Sequence, residues 1–163
     1  MEKNILIVDD DRGILKSFKD ILEPEGYSVD TAETALEAVE KCKARPYNLA
    51  IIDIKLRDVD GTDLLARVHE ILPRARKIMI TGYPSLENAV DSVNLQADAY
   101  IIKPVNPDTF LKVVAESMDK QLEAEQMTED KVVGWVESRY DETRRNRSKR
   151  KPMGPELLPN AEE

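Results

Sequence analysis

One cysteine, one histidine, one tryptophan and two phenylalanines in 163 residues leave little material for several kinds of chemistry. The lone Cys42 cannot close a disulfide within the chain or build a thiolate metal cluster, so a reducing, cytoplasmic setting is the expectation. With His69 the only histidine, neither a histidine-based phosphotransfer site nor a zinc site can be assembled from one chain. Aromatic residues at 5% supply no aromatic binding platform. The longest apolar runs, such as Ile5-Leu6-Ile7-Val8 and Leu49-Ala50-Ile51-Ile52, are strand-sized, whereas a spanning helix needs roughly 20 such residues. Met1-Glu2-Lys3-Asn4 lacks the layout of a signal peptide. No glycine-rich phosphate loop or dinucleotide fingerprint occurs. A net charge of −8 disfavours non-specific nucleic-acid binding, because the chain as a whole repels a polyanion.

What is present reads as one domain with an appendage. Apolar residues at 41% and charged residues at 34% suit a well-solvated globular protein. Short β-branched runs ending in polar residues predict strands at 5–8, 27–31, 49–52, 77–80 and 99–102. Helical spacing appears in Ile14-Leu15-Phe18-Ile21-Leu22, in Ala35-Leu36-Val39-Cys42, in Leu64-Leu65-Val68-Ile71-Leu72, in Ala89-Val90-Val93 and in Phe110-Leu111-Val114-Met118. Strands apolar at consecutive positions and alternating with helices imply a parallel sheet covered on both faces, a doubly wound α/β fold with a C-terminal helical or disordered extension.

Ligands of such sheets bind beyond the carboxyl ends of the strands. The residues there are Asp9-Asp10-Asp11, Asp53, Thr81 and Lys103. Any one of them, taken alone, is ordinary: a strand-end aspartate often caps a helix, and a threonine or lysine there is often a loop residue. Together they are harder to explain as caps. Carboxylates gathered at one edge need a counter-charge, and a hard divalent cation with an oxygen shell provides it. Such an ion also neutralises a phosphoryl group in transfer, while an aspartate oxygen can be the nucleophile. The Lys103 ammonium suits one phosphate oxygen and the Thr81 hydroxyl another.

Ile5-Leu6-Ile7-Val8-Asp9-Asp10-Asp11, Ala50-Ile51-Ile52-Asp53 with Asp60-Gly61, Ile78-Met79-Ile80-Thr81-Gly82 and Ala99-Tyr100-Ile101-Ile102-Lys103-Pro104 resemble the receiver domains of two-component response regulators, over roughly residues 3 to 120. The resemblance implies a CheY-like, flavodoxin-like receiver fold with Asp53 as phosphoacceptor. Mg²⁺ or Mn²⁺ would be bound by Asp9, Asp10, Asp53 and the backbone carbonyl of Lys55, and Asp11 would cap the first helix. Thr81 and Lys103 would contact the phosphoryl group, Thr81 and Tyr100 would act as the switch pair, and the Lys103-Pro104 bond would be cis. Implied partners are a sensor histidine kinase or phosphotransfer protein, a downstream effector and, on phosphorylation, a possible second copy. Self-directed phosphotransfer and autodephosphorylation would be its only chemistry. Two positions depart from the pattern: Arg57 stands where proline is common, which would loosen the loop, and Gln96 stands where glycine often ends the fourth helix, which would force a different ending.

Three rivals have some support. Arg57-Asp58-Val59-Asp60-Gly61-Thr62 resembles the nucleophile loop of haloacid-dehalogenase-type phosphatases, yet that motif must ride directly on a strand end, and here Lys55-Leu56-Arg57 intervenes after the strand stops at Asp53. An EF-hand aligned on Gly61 would put Leu56 and Arg67 at ligand positions and fails. A receiver-like module that is never phosphorylated would not need the full charged set. By sequence the chain divides into a receiver over 1–122, an extended or additional amphipathic helix over 123–147 and a disordered tail over 148–163. Thr128-Glu129-Asp130 reads as a helix start with Val132, Val133, Val136 and Tyr140 on one face; this helix either continues or folds back upon the fifth helix to pack on the receiver, or meets a partner. The basic cluster within 144–151 is a weak candidate for nucleic acid, and no helix-turn-helix of ordinary size fits after the fifth helix.

Overall fold

Five strands in the order β2-β1-β3-β4-β5, all parallel, form the centre of the structure, a computed structural model that describes residues 2–149. The strands are β1 (Asn4–Val8), β2 (Ser28–Ala32), β3 (Leu49–Asp53), β4 (Arg76–Thr81) and β5 (Ala99–Ile102). Between and after them run α1 (Arg12–Leu22), α2 (Ala35–Ala44), α3 (Gly61–Ile71), α4 (Leu86–Asn94) and α5 (Pro107–Ser148), with a single 3-10 turn at Glu23–Glu25. The described chain falls into two compact units divided between Glu125 and Gln126, and the sheet belongs to the first.

Alternation along the strands sorts their side chains into two cores. Leu6, Val8, Ala50, Ile52 and Met79 pack with Ala38 and Val39 of α2 and with Leu64, Leu65 and Val68 of α3. Ile5, Ile7, Leu49, Ile51, Ile78 and Ile80 pack with Leu15, Phe18 and Leu22 of α1 and with Phe110, Val114 and Met118 of α5. Because both faces are covered, β1 and β3 are buried at every position, which explains their uninterrupted apolar runs. Phe18 and Phe110 stack with ring centroids 4.6 Å apart, joining the first helix to the last. Truncating a buried phenylalanine of this kind costs about 3–5 kcal/mol.

Local chemistry fixes the helix ends. Asp11 caps α1, accepting hydrogen bonds from the N–H groups of Gly13 and Ile14. Thr34 caps α2 through the Glu37 N–H, and Ser85 caps α4 through the Asn88 N–H. The ending of α4 corrects the sequence expectation. Gln96 adopts the left-handed conformation, φ 66°, that glycine usually supplies. Two hydrogen bonds, Gln96 N–H to the Val93 carbonyl and Ala97 N–H to the Ser92 carbonyl, offset its cost and close the helix.

The apolar residues of α4 do not meet the core: Val90 and Val93 are exposed, as is Leu86, and the buried residue of the helix is Ser92. Ser92 tolerates burial because its hydroxyl donates to the Asn88 carbonyl. Thr128, read as a helix start, lies inside α5 instead, since Ala124-Glu125-Gln126-Met127 are all good helix formers and offer no break. From residue 150 onward, the expected tail and the end of the basic cluster lie outside the described residues.

Candidate functional site

The carboxyl ends of β1, β3, β4 and β5 bring together residues far apart in sequence. Asp9 follows β1, Asp53 ends β3, Thr81 ends β4 and Lys103 follows β5. Gly61 is what lets the chain after β3 return so closely. A Cβ there would lie 2.2 Å from the Asp53 carbonyl oxygen, and the Gly61 N–H donates to the Ile54 carbonyl at 2.7 Å. Only glycine allows α3 to begin hard against the strand that carries Asp53.

Asp9, Asp10 and Asp53 each offer a carboxylate oxygen, all within 4.8 Å of one another. Such a set of hard oxygen donors fits a divalent cation of the Mg²⁺ type. Lys103 supplies positive charge at the same place: its Nζ donates to Asp9 Oδ2 at 2.9 Å and to Asp53 Oδ2 at 3.1 Å. Burial pushes the Asp9 carboxyl up from its ordinary value against the Asp11 N–H and Lys103, and the Asp53 charge pushes it further. For Lys103 burial opposes the charge, but the hydrogen bonds to Asp9 and Asp53 outweigh it and raise its pKa. The second oxygen of Asp53 accepts the Lys55 N–H at 3.0 Å. A cavity of about 410 Å³ opens over these groups, lined in part by Asp10, Lys55, Gly82 and Tyr83.

Thr81 is fully buried, and its Oγ1 accepts the Tyr83 N–H at 3.0 Å, which leaves the hydroxyl proton to donate elsewhere. Its own carbonyl accepts the Lys103 N–H at 2.7 Å, tying β4 to the lysine, and the Lys103-Pro104 bond is cis. Tyr100 is half-buried on β5, and its hydroxyl is buried without a hydrogen-bond partner.

Several contacts had no signal in the sequence patterns. Arg57 Nε lies 3.4 Å from Asp10 Oδ2, so the residue expected to loosen the loop is paired with the acidic cluster. Lys55 Nζ sits over the Tyr83 ring, 4.1 Å from its centroid. Asp58 points away from the cluster and caps α2, accepting the Ala35 and Leu36 N–H groups at 3.1 and 3.2 Å. That engagement deprives the phosphatase reading of its nucleophile. His69 is half-buried with its Nδ1 3.0 Å from the ammonium of the buried Lys77.

Comparison with known proteins agrees with this geometry. The family model described as response regulator receiver domain matches residues 5–115. The alginate biosynthesis transcriptional regulatory protein AlgB of Pseudomonas aeruginosa is 36% identical over 141 residues, 86% of this chain but 29% of that longer protein. A CheY-like receiver domain protein from Methanospirillum hungatei JF-1 is 52% identical, with a TM-score of 0.74 over 76% of this chain and 99% of that one. A Burkholderia pseudomallei response regulator, solved with a phosphorylated aspartic acid, a calcium ion and citrate, is 30% identical, with a TM-score of 0.67 over 77% of this chain and 73% of that one. Among the described residues no helix is long and apolar enough to cross a membrane. Sheet order, acidic cluster and family match together establish that the chain belongs to the response regulator receiver domains of two-component systems.

Proposed function

We propose that Asp53 is the phosphoacceptor of a cytoplasmic switch, charged by a sensor histidine kinase or phosphotransfer protein. The observation that carries the reading is the bridge from one Lys103 ammonium to Asp9 and Asp53 beside Asp10, a cluster balanced only in part by protein charge. Asp9, Asp10, Asp53 and the Lys55 carbonyl would hold Mg²⁺ or Mn²⁺, which when bound neutralises charge on the phosphoryl oxygens. An Asp53 carboxylate oxygen attacks phosphorus, an oxygen–phosphorus bond forms as the bond to the donor's imidazole nitrogen breaks, and the donor keeps the electron pair. Lys103 transfers its hydrogen bond from Asp53 to a phosphoryl oxygen, and the Thr81 hydroxyl donates to another. Water later hydrolyses the acyl phosphate, so the chemistry is self-directed and no metabolic substrate is needed.

Readout follows from what is loosely held near the site. The Tyr100 hydroxyl has no partner to lose, so its ring is free to respond when Thr81 is drawn to the phosphoryl group. Leu86, Val90, Val93 and Ile102 expose apolar surface on α4 and β5, where an effector or second copy can discriminate the two states.

Intact-mass analysis after incubation with acetyl phosphate tests this reading. One added phosphoryl group is expected, dependent on Mg²⁺, lost in Asp53→Asn and kept in Asp58→Asn. Absence of the adduct under conditions that modify a known receiver would leave an unphosphorylated interaction module.

A further inference from the structure

The last turns of α5 carry a stripe that the phosphoacceptor site does not explain. Val132, Val133, Val136 and Tyr140 are each more than half exposed. Helical spacing puts Val132, Val136 and Tyr140 on one line with Val133 beside it. The same line continues to Glu129 and Glu125 in one direction and to Thr143 and Arg147 in the other.

Read outward from Val136, this stripe is the same in both directions: the steps are four, three and four residues toward Glu125, and four, three and four toward Arg147. A second helix laid end for end across it therefore stays in step, with Val136 opposite Val136 and Val132 opposite Tyr140. Its ends are also complementary, because Glu125 meets Arg147 of the second copy. A parallel pair in the same register would set Glu125 against Glu125, Glu129 against Glu129 and Arg147 against Arg147, each a like-charge contact. The wider sequence has the same polarity: 123–130 holds four acids and no base, whereas 139–149 holds five bases and two acids.

We propose that the 125–147 segment of α5 pairs antiparallel with the same segment of a second copy of this chain, about a two-fold axis at Val136. An isologous contact of this kind closes as a dimer and leaves no open end. Two short helical stripes make a small contact beside the roughly 1,200 Å² at which stable interfaces begin, so the pairing is expected to be reversible. It requires no phosphoryl donor, so its failure would leave the role of Asp53 untouched.

Sedimentation equilibrium of the full chain across the micromolar range, without phosphodonor, tests the proposal. The wild type is expected to dimerise. Val136→Glu, which sets one carboxylate against another across the axis, should weaken the dimer at least about tenfold. Glu125→Arg should weaken it about threefold to tenfold at low salt, and adding Arg147→Glu to the same chain should restore it. That rescue occurs only in the antiparallel arrangement, since in a parallel pair the double variant still sets like against like. All three positions lie outside the two cores, and circular dichroism with acetyl-phosphate labelling confirms that each variant folds. A wild type that stays monomeric, a dimer indifferent to Val136→Glu, or a double variant that is not rescued would overturn the proposal.

Discussion

Replacing Lys103 by methionine should make the stability of the domain depend on a divalent cation. The ammonium lies 2.9 Å from Asp9 and 3.1 Å from Asp53, and its side chain is only 20% exposed. At an effective dielectric of about 20, each contact is worth about 5 kcal/mol of gross attraction, most of it offset by the cost of burying the three charges. Removing the cation alone leaves two buried carboxylates unpaired, a loss of about 3 kcal/mol in EDTA at neutral pH. The sign with pH follows from Asp9, whose carboxyl burial already raises above its ordinary 3.8. A carboxyl raised in the folded state costs stability above its unfolded pKa, and that cost is relieved as pH falls through the folded value. The deficit of Lys103→Met should therefore shrink in mild acid. Magnesium should repair it at neutral pH: an ion at a hundred times its dissociation constant contributes about 2.7 kcal/mol, and more of that is available once the competing ammonium is gone. Urea unfolding of both chains in EDTA and in MgCl₂ measures all of this. Equal stability in EDTA, or an equal gain from magnesium in the two chains, would refute Lys103 as the counter-charge of the cluster.

Two further outcomes can be checked with the same unfolding assay. Asp58→Ala should cost about 1 kcal/mol by removing the acceptor of the Ala35 and Leu36 N–H groups at the start of α2, with phosphoryl uptake retained. Because hydrogen bonds to the Ala35 and Leu36 N–H groups outweigh burial and lower the Asp58 pKa, that cost should be present above pH 3.8 and disappear as pH falls below it. Burial pushes the Cys42 thiol from 9.0 up to about 11, so the unfolded chain ionises first and stability should fall between those values, by at most about 2.7 kcal/mol. Cys42→Ala should reduce that slope, leaving the part from the buried Tyr47 and Tyr27 hydroxyls, whose pKa values burial also raises, and native Cys42 should react with thiol reagents no faster than the domain opens.

The strands were legible because a parallel sheet buried on both faces demands runs such as Ile5-Leu6-Ile7-Val8, and a sequence carries that demand openly. Acids placed just beyond such runs then marked the site end of the sheet. Contacts made across the fold were not legible. Asp58 caps a helix that begins 23 residues earlier, and Arg57 reaches Asp10 from another loop, so no local period records either pairing. Lys77 looked like the polar start of a strand but is buried, its ammonium on His69 Nδ1 and its N–H on Asp98. For α4, period alone gave an amphipathic helix but not its orientation, and the apolar stripe faces solvent.

The outward-facing stripe of α4 bears on how the switch would work. A helix whose own apolar residues face outward, and whose buried residue is a serine, contributes little to the core. Its C-terminus also holds Gln96 in the left-handed region, at a cost of order 1 kcal/mol or more. Beside it, Tyr100 keeps a buried hydroxyl unpaired, a further cost of about 1–3 kcal/mol. Stability has thus been withheld at the end of α4 and at Tyr100 of β5, while the two cores are well packed. A new hydrogen bond at Thr81 is worth no more than a few kcal/mol, so it can shift only elements poised within that range. In our reading α4 and Tyr100 are so poised, and the exposed Leu86, Val90 and Val93 report the change because nothing in the first core anchors them.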